Sequence, residues 1–126
     1  MAALSNVHAA SLLNASLRSG TYYLALFLTD PTPDGTGTEA SGGGYARKII
    51  SFSSPAIVAG KQQVTNAAEI NFGVMSADLG TVAYWGIYDS ATLGNLLWFG
   101  AFKRSKNVLN GDAITVSIGG IACNLS

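Results

Sequence analysis

Three carboxylates, Asp30, Asp34 and Glu39, fall in one stretch rich in proline and glycine, and oxygen ligands so grouped could hold a cation. The stretch lacks the Asp-x-Asp-x-Asp-Gly order and the closing glutamate of a calcium loop. Aspartates beside proline and glycine also serve as turn formers, bonding to nearby backbone N–H groups. Gly42, Gly43 and Gly44 could cradle a phosphate, yet no Gly-Lys-Ser/Thr follows and the next element reads as a strand. His8 is the single histidine and Cys123 the single cysteine, so neither a His-based metal site nor a Cys–His nucleophile pair has its parts. Cys123 lies in an apolar C-terminal strand and reads as a small core residue. Tyr84, Trp85, Tyr88, Trp98 and Phe99 could stack sugars or bases, but on a hairpin alternate aromatic side chains ordinarily pack the core or a subunit interface. The chemistry that emerges is binding, with no cofactor and no catalytic set; the expectation is a protein that is not an enzyme.

Composition says what kind of binding. Charged residues make up 11% of the 126 residues, against roughly 25% in an average soluble domain, while 48% are apolar. So few charges leave apolar surface to be covered, and burial against partner subunits is the physical expectation. Seven basic residues balance seven acidic ones, so no long-range field favours nucleic acid or an anionic membrane. No stretch approaches the ~18 apolar residues of a membrane span. The first twenty residues lack a basic n-region and do not read as a signal peptide.

The elements that would position these residues divide into two parts. Residues 1–20 read as an N-terminal helix or attachment arm, with Ser5 as N-cap, an apolar stripe including Leu12, Leu13 and Leu17, and Gly20 as its stop. Residues 21–126 read as a β domain. Tyr22 to Leu28 is a strand buried on both faces, and Thr29 to Gly44 is a long loop suited to interaction. Strands are expected at Tyr45–Phe52, Gln62–Ala67 and Glu69–Phe72. Thr81–Tyr88 and Leu96–Phe102 form a hairpin, and Ala113–Ile118 and Ile121–Leu125 close the chain. Lys103, Arg104 and Lys106 read as a solvated turn that could also meet an acidic patch on a neighbouring subunit. The expected fold is mainly β, a jelly-roll-like β-sandwich or barrel with a short N-terminal helix.

Two segments carry a resemblance: YYLALFLTDPTPDGTGTEASGGGYARKIISF (residues 22–52) and NAAEINFGVMSADLGTVAYWGIYDSATLGNLLWFGAFKRSKNVLNGD (residues 66–112). In order and spacing they resemble a family of small virion proteins of tailed bacteriophages; residues 2–19 depart from its pattern, and residues 72–79 are more apolar than is usual there. The resemblance implies a non-enzymatic phage structural protein. The first expectation is a capsid decoration (cement) subunit on the capsid exterior, a homo-oligomer, as a trimer, bound to the major capsid protein. The alternative is a tail-fibre or baseplate-associated component contributing to host-surface glycan binding. The expected partner-binding residues are Leu12, Leu13 and Leu17 on the helix, with Asp30, Pro31, Asp34, Gly42, Gly43, Gly44, Tyr45 and Arg47 in and after the loop.

Overall fold

A computed structural model of the chain describes residues 4–125. One helix, α1 (Asn6–Leu17), precedes nine strands: β1 (Tyr22–Phe27), β2 (Lys48–Ile50), β3 (Ala56–Val58), β4 (Lys61–Thr65), β5 (Ile70–Val74), β6 (Gly80–Tyr88), β7 (Leu96–Val108), β8 (Ala113–Val116) and β9 (Ala122–Leu125). The fold is mainly β behind a short N-terminal helix. Its strands make three antiparallel sheets, ordered β2-β1-β6-β7, β3-β4-β9 and β5-β8, and they do not close into one barrel.

Ser5 caps α1 as its sequence position suggests, its Oγ accepting the His8 N–H at 3.2 Å. Ala9, Leu13 and Leu17, spaced four apart, form the buried stripe. Leu13 and Leu17 belong to the same core as Leu24 and Leu26 of β1, Val64 of β4, Ile87 of β6 and Cys123 of β9. Burying each leucine contributes on the order of 2 kcal/mol. The helix expected as an arm therefore docks its apolar face within its own subunit.

The inner face of the four-stranded sheet closes this core. Trp85 lies flat over Gly100, where an added Cβ would stand 2.6 Å from the indole. The outer face carries a second cluster of Ala25, Phe27 and Tyr88, flanked by Tyr84 and Leu96. Apolar residues on both faces explain why β1 reads as a continuous hydrophobic run.

Two elements differ from the sequence expectation. The β3–β4 hairpin turns through Ala59 (φ 52°) and Gly60 (φ 80°), a left-handed pair without the Asn-Gly signature of such turns. β7 does not stop at Phe102 but pairs with β6 as far as Gly80↔Val108. Lys103, Arg104 and Lys106 thus lie on a strand, but one whose register to β6 jumps from Tyr84↔Ala101 to Val82↔Lys106; Lys103 and Arg104 sit in this bulge of an outermost strand, where charge can face solvent.

Candidate functional site

The loop after β1 is less irregular than its composition suggests. Its ends zip together: the Leu28 N–H donates to the Thr38 carbonyl at 2.8 Å and the Ala40 N–H to the Leu26 carbonyl at 2.9 Å. Between them, Asp30 Oδ1 accepts the Thr32 N–H at 2.9 Å, holding Thr32 at φ 62°, and Pro31 is buried. Gly37 must be glycine, since a Cβ there would stand 2.5 Å from the Asp30 carbonyl oxygen. Gly42, Gly43 and Gly44 all have positive φ, which returns the chain toward β2.

The turn joining β6 to β7 (residues 89–95) stands beside this loop. Asp89 accepts the Asn95 N–H at 2.8 Å and the Asn95 Nδ2 group at 3.0 Å, and these bonds hold its carboxyl below the ordinary range. Leu93 is held at φ 55° and is 86% exposed, so a large apolar side chain stands at the tip on a strained backbone.

Arg47 ties loop and turn together. Its Nε donates to Glu39 Oε2 at 3.0 Å and its Nη2 to Glu39 Oε1 at 2.8 Å, while Nη1 donates to the carbonyls of Ser90 (3.0 Å) and Leu93 (2.7 Å). The guanidinium carbon stands 3.7 Å from the centroid of the Tyr88 ring. The Tyr45 hydroxyl donates to Glu39 Oε2 at 2.7 Å and accepts the Leu26 N–H at 3.0 Å. Burial first, then the bond to Glu39, keep the Tyr45 phenol protonated well beyond its ordinary range. The hydrogen bond to Glu39 likewise raises Arg47.

Two shallow clefts open at this end of the molecule. One, of about 430 Å³, has a mainly polar lining that includes Asp34, Arg47, Tyr88 and Asn95. The other, of about 390 Å³, is lined by Glu39, Gly42, Tyr45, Ala46, Thr92 and others. Arg47 and Leu93 line both. The first cleft is mainly polar and the second mainly apolar, so together with the protruding leucine this end suits recognition of a surface that carries both polar and apolar groups.

The expected site residues are distributed unevenly. Asp34, Gly42, Tyr45 and Arg47 meet at the clefts, with Gly43 and Gly44 shaping the adjacent backbone. Asp30 and Pro31 build the loop from within. Leu13 and Leu17 are 0% and 1% exposed and face the subunit's own core, whereas Leu12 remains open on the helix exterior. Glu39, grouped by sequence with two aspartates, is engaged by Arg47 and Tyr45, and among the described residues no three His, Cys, Asp or Glu side chains are grouped to hold a metal. Of the two tryptophans, Trp85 is buried in the core and offers no stacking face, while Trp98 is half-buried and donates Nε1–H to Ser16 Oγ of α1 at 2.9 Å. Leu93 and Asn95 escaped sequence reading, although a lone leucine among turn formers (Ser90 to Asn95) was the available signal.

No curated protein matches the chain. A family model described as podophage GP4 fiber I protein gp80 matches residues 3–124, a span that includes α1. A match over nearly the whole chain makes this a phage virion structural protein that belongs to the podophage GP4 fiber I protein gp80 family.

Proposed function

We propose that the protein is a tail-fibre component that contributes to binding the host-cell surface, acting by recognition and not by catalysis. The observation that carries this reading is the match to a fibre family over residues 3–124. The rigid end built by Arg47, with its two clefts and exposed Leu93, supports it as a surface fit to touch glycan hydroxyls. The sparse charge of the chain suits a homo-oligomer whose subunits cover each other's apolar surface. Decoration of the capsid exterior, with the major capsid protein as partner, has no observation in fold or family that favours it over the fibre.

Immunogold labelling of intact virions tests the placement. Label on the tail is expected, and label spread over the head would replace the fibre with capsid decoration. Purified protein should also compete with virions for adsorption to host cells. The Leu93→Asp variant should compete less while unfolding at the same denaturant concentration.

A further inference from the structure

β7 and β8 follow one another in the chain but lie in different sheets, each outermost, and no ladder joins them. They meet at the turn of residues 109–112, where Asp112 Oδ2 accepts the Leu109 N–H at 2.9 Å and the Gly111 N–H donates to the Met75 carbonyl at 2.7 Å. From that closed end the strands splay apart. A groove of about 230 Å³ opens between them over Val82, Val108, Ile114 and Val116, and a second opening of about 320 Å³ adjoins it along Phe102, Thr115 and Gly119. The Lys106 Nζ donates from β7 to the Ala113 carbonyl at 2.9 Å, so this carbonyl of β8 is met by a side chain of β7.

The groove carries a charge pattern as well as two open strand edges. Phe102, Arg104 and Lys106, at every second position of β7, all line it. The one ion pair among the described residues joins Arg47 to Glu39, so Arg104 and Lys106 have no carboxylate partner there. An apolar floor, a cationic wall and unpaired strand edges together fit an extended peptide that adds to β7 and brings carboxylates to the two cations.

We propose that this groove takes an extended acidic segment of a partner protein, with acids at alternate positions and an apolar residue two positions beyond. Such a strand would set its acids beside Arg104 and Lys106 and its apolar residue beside Phe102. A second copy of the chain does not supply it. The acids stand at 30, 34, 39, 69, 78, 89 and 112, and no two are two residues apart. The closest, Asp30 and Asp34, enclose Pro31 and Pro33, which cannot donate to a ladder. This inference is independent of where on the virion the protein sits.

Fluorescein-labelled Thr-Glu-Thr-Glu-Thr-Val-Thr and its reverse, Thr-Val-Thr-Glu-Thr-Glu-Thr, test both strand directions on the full chain by fluorescence anisotropy. One of them is expected to bind, more weakly as salt is added. The isomer Thr-Thr-Glu-Glu-Thr-Val-Thr, equal in charge, is expected to bind less. The double variant Arg104→Glu, Lys106→Glu should weaken binding by roughly tenfold or more, whereas Lys61→Glu on β4 should leave it unchanged. Amide hydrogen exchange should slow at residues 102–106 when the peptide is present. Equal binding of the isomer, an unchanged exchange pattern, or self-association that the double variant abolishes would each overturn the proposal.

Discussion

Arg47 grips Glu39 at two points, 2.8 and 3.0 Å, with its side chain only 8% exposed and that of Glu39 27% exposed. The geometry is a planar fork on a planar carboxylate, and Arg47 spends its remaining reach on two turn carbonyls. A lysine would keep the charge but could not hold carboxylate, carbonyls and the Tyr88 face at once. Arg47→Lys should therefore cost about 2 kcal/mol in urea unfolding. Glu39→Gln should cost a similar amount, and the double variant should cost less than the two together. Strict additivity would show that loop and turn are held independently.

Leu12 and Leu13 are neighbours in sequence with opposite fates, 38% and 0% exposed. Leu13→Ala empties a site that α1 shares with the sheets, and should cost about 2–5 kcal/mol. Leu12→Ala should change stability by no more than about 0.5 kcal/mol. For the same reason, a chain cut after residue 18 loses Ala9, Leu13 and Leu17 from the core and should lose its cooperative thermal transition. A cooperative transition in the shortened chain would restore the helix to the status of an arm.

Much of the fold was legible because periodicity and turn chemistry agree. The Ser5 cap, the buried run of β1, the β6–β7 hairpin and the alternation of β8 each follow from local sequence. What stayed hidden depends on residues distant in the chain. Nothing near Arg47 announces that it reaches Ser90 and Leu93, or that Tyr45 serves the Leu26 backbone. The basic residues of β7 read as a turn because charge tracks exposure, and a bulged stretch of an outermost strand is as exposed as a turn. Helix periodicity gave the apolar stripe but not what would cover it, since the same leucines suit a partner or the chain's own sheets.

Asn66 illustrates the same limit and carries its own prediction. It is fully buried, and its Nδ2 group donates to the carbonyls of Ala68 and Ser117, each at 2.9 Å, while Oδ1 accepts the Ile121 N–H at 2.9 Å. These bonds pin the end of β4 to the turn before β9. Asn66→Ala strips the Ala68 carbonyl and the Ile121 N–H of these bonds and leaves the Ser117 carbonyl with the Gly120 N–H alone, and should cost about 2–4 kcal/mol. Asn66→Asp keeps the acceptor but loses both donations and sets a carboxylate against two carbonyls, so it should cost at least as much. Urea unfolding of the two variants checks this, and a loss below about 0.5 kcal/mol in either would mean that the turn finds other partners.

Cys123 gives the protein a pH dependence of definite sign. Burial in the core pushes its thiol from the ordinary 9.0 up to about 12. Between those values the unfolded chain ionises while the folded chain keeps its proton, so the unfolded state binds fewer protons and stability falls as pH rises. The contribution is complete below the ordinary value, and its loss approaches ~1.4 kcal/mol per pH unit above it. From about pH 8 to about pH 10 urea unfolding should register a loss of about 1.4 kcal/mol. Tyr45 and Tyr88 are also raised, from an ordinary 10.0, and act in the same direction at higher pH. Cys123→Ala separates the two sources: the early part of the loss should vanish while the later tyrosine part remains. If the alanine variant loses stability over the early interval as steeply as the parent, the thiol is not the group that titrates.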